Sequence, residues 1–361
     1  MQPANLYALV AVAVGVGLVA YACASTPNAA PAPVGPGGFD AGAEVGSIPA
    51  DARSDALRDA GVACVHPPVK TSCAGGWCEV PAGCFWMGSP EAEYGRGQAT
   101  EPLVPTTLTR SFAIQQYETT QGEWKAMGFP NPTGSHPSPD FVACKEDNCA
   151  VGSLTYFEAL AYANAKSERD GYSACYELVG CSGSIGNGMT CASFRVKDPI
   201  SYDCTGYRLP MGAEWEYAAR AGTRTAFYSG DIAPQVDNAS CYPEPNLDDI
   251  AWWCHNAGGT THPVGLKRPN AWGLYDVLGN SAEYVVDHQR YRGYGALPQR
   301  DPGDPVFISE NRASRGSSVV AWSVIARAAA WVGNVGWSDR ADGITIRLVR
   351  TLRKGDAGAS D

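Results

Sequence analysis

The sequence predicts a loop-rich α+β domain stapled by disulfides. Three observations predict it. The 361 residues include 41 Gly, 26 Pro and 10 Trp, a composition that interrupts long elements while supplying large apolar side chains. Only three stretches carry helical spacing, and they lie among short strand-like runs. Thirteen cysteines follow an apolar leader, which points to an oxidising compartment.

The leader comes first. From Leu6 to Ala22 the chain is apolar and uncharged, and it ends in Ala20-Tyr21-Ala22-Cys23. That run has signal-peptide length and small residues suited to cleavage, and it is short for a spanning helix. Residues 1–23 therefore read as an export signal, with Cys23 as the site of a lipid anchor. Cleavage after an Ala-x-Ala site and an uncleaved anchor remain alternatives. Two features depart from the lipoprotein pattern: no Lys or Arg precedes the run, and Ala20 stands where Leu is usual. The expected location is the cell envelope, as a lipoprotein, or the exterior. The membrane is reached only through that lipid.

Residues 24–62 follow as an Ala/Pro/Gly-rich linker with no periodic apolar face, suited to a tether. The globular domain runs over residues 64–353, and residues 354–361 are a polar tail. Setting Cys23 aside leaves twelve cysteines, Cys64 to Cys254. An even set in an exported chain reads as up to six disulfides. Zinc is the rival, since Cys144 and Cys149 flank a short loop and Cys254 precedes His255, but no His pair accompanies them. Spacing does not give the connectivity, and Cys144–Cys149 is the one local closure expected.

The first helix is short, over Thr119–Met127. A second starts at a Ser153 cap and continues to about Arg169, with Leu154, Phe157, Leu160, Ala161 and Asn164 at three-and-four spacing. Gly171 stops it. A third runs from about Ala213 to Arg220, ended by Gly222. Phe85-Trp86-Met87 and Ile344–Val349 read as strands. No internal repeat is visible.

The net charge is −10 and the 27 basic residues are scattered singly, so no basic stripe exists to neutralise phosphates, and nucleic acid is excluded as a partner. The sequence has no phosphate-binding glycine loop, no dinucleotide fingerprint and no zinc helix. The spacing around Ser182 fails that of a nucleophile elbow. The five histidines, His66, His136, His255, His262 and His288, are far apart and read as structural. Glu214 and Glu216 are two apart on a helix and do not face each other. A solvated face with a structural salt bridge is expected for them.

Six ordered segments stand out. They are Val80–Ser89 (VPAGCFWMGS), Tyr117–Trp124 (YETTQGEW), Tyr207–Gly222 (YRLPMGAEWEYAARAG), Thr261–Gly265 (THPVG), Pro269–Asn280 (PNAWGLYDVLGN) and Ile346–Arg350 (IRLVR). In this order they resemble the formylglycine-generating-enzyme, or sulfatase-modifying-factor, family over roughly residues 78–350. The resemblance implies a complex variant of the C-type-lectin fold. It also implies a calcium ion held by the Asp276 and Glu283 side chains and the Gly279 and Ser281 carbonyls, a set of hard oxygen ligands.

The family's active members oxidise a peptide cysteine with oxygen and copper, the metal being held by two cysteines. These lie three and eight residues after the Ser of an Arg-Gly-Gly-Ser run. The run here is Arg315-Gly316-Ser317-Ser318, and the two positions are Ala321 and Ala326, with no cysteine after Cys254. Alanine offers no soft ligand for Cu(I), so copper and any catalytic residue are not expected. Ser317 replaces a Gly, and Ala282 and Tyr284 stand where the family usually has Trp, so the pocket is expected to be remodelled.

Three readings follow. The first is a non-catalytic module at the envelope that binds a peptide, a glycan or an envelope protein, with Ser318, Trp322 and Arg327 as candidate cleft residues. The second is an enzyme of different chemistry, since the resemblance extends to members serving in ergothioneine synthesis and siderophore maturation. The third is a true formylglycine generator, which the missing thiols oppose.

Overall fold

The computed structural model describes residues 64–97, 100–136, 140–198, 201–235, 241–288, 295, 297–303, 311–340 and 343–353. The leader, the linker and the polar tail read from the sequence lie outside the described residues, as does the His288 side chain.

Four small sheets carry the strands. β1 (Cys73–Ala74), β2 (Trp77–Val80), β5 (Phe112–Gln115) and β13 (Val349–Thr351) form one antiparallel sheet in the order β1-β2-β5-β13. β3 (Gly83–Met87), β4 (Val104–Leu108) and β9 (Gln299–Arg300) form a second. β8 (Ala282–His288), β10 (Asn311–Arg315), β11 (Val332–Gly336) and β12 (Ile344–Thr345) form a third, ordered β11-β10-β8-β12. β6 (Tyr176–Val179) and β7 (Ser193–Val196) make a hairpin.

The helices α1 (Gln121–Ala126), α2 (Tyr156–Arg169) and α3 (Gly212–Arg220) fall within a residue or three of the three stretches expected, and a one-turn α4 (Pro245–Asp248) joins them. α1 opens on a Thr120/Glu123 capping box, each side chain taking the other's orphan backbone N–H. α2 corrects the sequence reading of its cap. Thr155 caps it with Glu158 in a second capping box, while Ser153 lies in left-handed backbone (φ 55) with its hydroxyl buried and unpartnered.

A second correction concerns the closing segment, which is not one strand over Ile344–Val349. β12 stops at Thr345 and β13 starts at Val349. Between them the Arg347 side chain is fully buried and reaches Glu283, the Gln115 carbonyl and the Tyr275 carbonyl. A side chain directed inward at that point breaks the ladder, and the backbone bonds instead to Thr119 and Gln115.

α3 packs against β3 and β8 and is buried along its whole length. Trp124, Trp215, Trp253 and Trp272 are each 0–1% exposed and anchor the core. No face of α3 is solvated, contrary to the expectation for Glu214 and Glu216. Glu214 takes a two-pronged contact from Arg208, at 2.6 and 2.7 Å. Glu216 takes Arg220 at 2.8 Å, Arg315 at 2.5 Å and the Gly88 N–H at 2.8 Å. The structural salt bridge expected there is present, and it is buried.

All twelve cysteines of the domain pair: Cys64–Cys84, Cys73–Cys78, Cys144–Cys149, Cys175–Cys204, Cys181–Cys191 and Cys241–Cys254. The Cys144–Cys149 closure is as expected. The largest enclosed separation is 29 residues, so the bridges are local staples. Each contributes about 2–4 kcal/mol, in part by restricting the unfolded chain.

Breaking a buried ion pair on one side costs about 3–5 kcal/mol, because the partner charge stays buried. Glu216→Gln is expected to lower unfolding free energy by about that amount, read from urea midpoints. A loss under about 1 kcal/mol would show that Glu216 does not hold the two arginines.

Candidate functional site

Three loops meet beyond the end of β10. Gly316 turns the chain out of the strand at φ 89, and a Cβ there would meet the Val277 carbonyl oxygen at 2.8 Å, so the position accepts only glycine. The next residue is strained. Ser317 sits at φ 78 with its hydroxyl buried and unpartnered.

Backbone bonds lace this loop to its neighbours. Gly279 N–H donates to the Gly316 carbonyl at 2.6 Å, Val319 N–H to Asn280 at 3.1 Å, Asn280 N–H to Trp252 at 2.7 Å and Cys254 N–H to Ala321 at 3.3 Å. Phe141, Ala257 and Val319 form a small apolar cluster between the loops, with Ala143 and Trp252 against it. Trp252 stacks on His262 at 3.7 Å and carries the Lys267 ammonium 4.1 Å from its ring centroid.

Val142, Val320 and Trp322, beside that cluster in the chain, are 58%, 40% and 41% exposed. Large apolar side chains rarely remain this exposed in one place without a partner. Ser318 is half-buried on the same loop, its Cβ near Gly343. Arg327 does not join Ser318 and Trp322. It is 2% exposed, and its guanidinium donates to Glu101, Glu93 and the Gly95 carbonyl at 2.6–2.9 Å. Burial pushes the Glu101 carboxyl up, and the Arg327 guanidinium more than reverses this, leaving it below the usual range. Arg327 thus holds the 93–101 loop against the site.

The two positions marked for copper are Ala321, half-buried, and Ala326, fully buried. The nearby Cys254 is joined to Cys241. Ala282 is buried in β8, and Tyr284 is buried with its ring edge-on to Tyr156 at 5.4 Å.

Beneath the loops lies an acidic group that spacing did not show in full. Asp276 and Glu283 of the expected calcium set are buried, and Glu118 lies beside them. Glu118 accepts from Asn280 Nδ2 at 2.5 Å and Ser281 N–H at 2.9 Å. Glu283 takes Arg347 at 2.7 Å on one oxygen and Trp215 Nε1 at 2.6 Å on the other. Asp276 Oδ2 accepts the Gly265 N–H at 2.7 Å, while its Oδ1 is buried with no partner.

Burial, then repulsion from Asp276 and Glu283, holds the Glu118 carboxyl well above the usual range. Burial likewise pushes Asp276 up to about 6, against the Gly265 N–H and Arg347. Three carboxylates share one guanidinium, and one oxygen lacks a donor. The Asp276 oxygen fits a hard cation; Glu283 fits less freely, since both its oxygens already accept. Glu118 belongs to the Tyr117–Trp124 segment, the only signal in the sequence that pointed to it.

The chain matches the family model described as the sulfatase-modifying factor enzyme 1-like domain over residues 66–352. It is 29% identical over 192 residues to the chaperone protein LppX of Paenibacillus barcinonensis, covering 48% of this chain and 61% of that protein's length. It is 26% identical over 232 residues to the formylglycine-generating enzyme of Mycobacterium tuberculosis, covering 58% of this chain and 72% of the enzyme. Among solved structures, Treponema denticola variable protein 1 superposes with a TM-score of 0.59 at 24% identity, over 79% of this chain and 100% of that one. PvdO from Pseudomonas aeruginosa does so at 0.58 and 24%, over 80% and 100%. These likenesses establish the fold.

The strain at Ser317 is measurable. Glycine has no Cβ penalty at positive φ and removes a buried unsatisfied hydroxyl, so Ser317→Gly is expected to stabilise the domain by about 0.5–1 kcal/mol. A lower urea midpoint for the variant would refute the strain.

Proposed function

The chain belongs to the sulfatase-modifying factor enzyme 1-like family, and from that premise we propose that it is an exported, non-catalytic member that binds polypeptide in the cleft above Val319. The observation that carries the reading is the loop itself. Where the family resemblance places two sulfur ligands, the chain has the methyl groups of Ala321 and Ala326, and beside them Val320 and Trp322 are exposed. A surface without a redox atom or soft ligand, but with exposed apolar side chains, suits binding rather than oxidation. A relative named as a chaperone protein supports a polypeptide ligand, and six disulfides support export.

The reading is tested on the purified protein in two ways. It is expected to bind no stoichiometric Cu(I) and to leave a sulfatase-motif peptide unoxidised. It is expected to bind carboxymethylated, permanently unfolded α-lactalbumin, with Trp322→Ser weakening that binding by about tenfold, or 1.4 kcal/mol. Copper-dependent formation of formylglycine would overturn the non-catalytic reading, and wild-type affinity in Trp322→Ser would remove the cleft from it.

Calcium at the Asp276–Glu283 turn belongs to the same proposal. Asp276 and Glu283 would bind by side chain and Gly279 and Ser281 by carbonyl. The unpartnered Asp276 Oδ1 and the excess of buried carboxylate over guanidinium support it. Asp276 is held up at about 6, above its unfolded value, so the metal-free fold gains stability as pH falls and loses it as pH rises through that value. In chelator the melting temperature is therefore expected to rise between neutral pH and just below 6, and at neutral pH calcium is expected to raise it instead. Asp276→Asn is expected to abolish the calcium response, while the buried Glu118 carboxyl, itself held above its usual range, keeps part of the pH response. A chelated protein indifferent to calcium and with a flat pH profile would exclude the site.

A further inference from the structure

We propose that the Cys241–Cys254 bridge is a thiol–disulfide exchange site for a thiol-bearing unfolded polypeptide, a step that rests on the cleft reading and adds chemistry to it. The cleft loop itself carries no sulfur, but this bridge stands against it. The Cys254 N–H donates to the carbonyl of Ala321, the residue before Trp322, at 3.3 Å. Tyr242, next to Cys241 in the chain, is exposed, as are Val320 and Trp322. A polypeptide seated on those side chains lies beside the bridge.

The bridges of the domain differ in access. Cys175 and Cys204 are both buried, Cys73–Cys78 and Cys144–Cys149 each have one buried half, and Cys64 and Cys84 are both half-buried. Two bridges have an exposed cysteine, Cys181–Cys191 and Cys241–Cys254. The first closes the β6-β7 hairpin, where Ser182 and Thr190 exchange backbone bonds. The second is tied to the cleft loop. Access decides which disulfide a thiolate reaches and which of its sulfurs is attacked. Exposed Cys241 is therefore the sulfur attacked, and half-buried Cys254 is the leaving group.

A proton acceptor lies beside the pair. His255 follows Cys254 and is exposed, and its Nδ1 lies 2.9 Å from the Cys241 carbonyl oxygen. A carbonyl only accepts, so Nδ1 carries the hydrogen and Nε2 is left to take a proton. The exchange then balances within the two molecules. A polypeptide thiol gives its proton to His255 Nε2 and attacks Cys241 Sγ. The S–S bond breaks, its electron pair leaves on Cys254 Sγ, and the proton follows to that sulfur. A second thiol of the polypeptide attacks its own sulfur in the mixed disulfide and expels Cys241 Sγ, which takes the second proton. Two electrons have passed to the bridge, which is now two thiols, and the polypeptide has gained a disulfide. No other oxidant enters, and each chain reacts once, without turnover.

The test mixes the mature protein with fully reduced α-lactalbumin or with glutathione, quenches with N-ethylmaleimide and maps the labelled cysteines by mass spectrometry. With α-lactalbumin, Cys241 and Cys254 are expected to open at least about tenfold faster than Cys181 and Cys191, because docking raises the local thiol concentration. Glutathione, too small to gain from the cleft, is expected to show no such preference. Trp322→Ser is expected to slow the opening by α-lactalbumin by about tenfold. Equal opening of the two bridges by α-lactalbumin, or an intact Cys241–Cys254 bridge, would overturn the exchange site. Carboxymethylated α-lactalbumin, which has no thiol to give, separates the two readings. If it binds while the thiol form leaves the bridge intact, the cleft stands and the exchange falls; if it does not bind, both fall.

Discussion

Buried arginines hold this domain together where regular structure is sparse. Arg208 grips Glu214, Arg220 and Arg315 grip Glu216, Arg327 grips Glu93 and Glu101, and Arg347 grips Glu283. Each of these arginines is at most 2% exposed. Removing such charges from water is costly, and the cost is offset as donors find acceptors in good geometry; Arg208 Nε and Arg315 Nε are buried without one. The remaining donors mostly meet backbone carbonyls: Gly88 and Thr225 for Arg220, Ala329 and Ala330 for Arg315, Gln115 and Tyr275 for Arg347. A loop carbonyl with no ladder partner needs a donor when buried, and arginine supplies several from one planar group. The clamps and the loops therefore require each other.

This explains what the sequence disclosed. The helices were legible because α2 and α3 keep local rules: apolar residues at three-and-four spacing, acidic first turns and a glycine stop. The cysteine set was legible as a set because its even number is a property of the chain alone. The clamps were not, because Arg315 lies 99 residues from Glu216 and Arg327 lies 226 from Glu101, distances that no local pattern spans. Arg327 is the instructive case. Expected in the cleft with Ser318 and Trp322, it is turned inward by the fold and ties down Glu93, Gly95 and Glu101. The break between β12 and β13 was illegible for the same reason, since the Ile344–Val349 run looks like a strand until Arg347 is needed inside.

The candidate site was legible in part. Trp322 and Ser318 lie on one loop, as adjacency required, but the apolar cluster beside it, Phe141 and Ala257 with Trp252 against them, comes from segments about 180 and 70 residues away. The resemblance gives the turn at Asp276–Glu283 two carboxylates, Asp276 and Glu283, and the carbonyls of Gly279 and Ser281. The structure adds Glu118, and with it the electrostatic problem of three acids facing Arg347. A cation at Asp276 would ease that problem, and protonation is the other way to ease it.

The clamps also separate family likeness from family chemistry. Glu118, Arg208, Glu214, Glu216, Arg220, Asn280 and Arg347 all lie in the segments that make this chain recognisable, and each is buried in an ion pair or a hydrogen-bonded junction. What those segments share with relatives is thus the framework. Ala321 and Ala326 belong to the loop beyond Gly316, which the framework holds by backbone bonds such as Gly279 to Gly316 and Val319 to Asn280. Backbone bonds do not depend on the side chains they carry, so the side chains of that loop can vary while the fold stays intact. A match spanning residues 66–352 therefore fixes the architecture and leaves the chemistry to be decided residue by residue at the loop, where this chain presents Val320 and Trp322 to solvent.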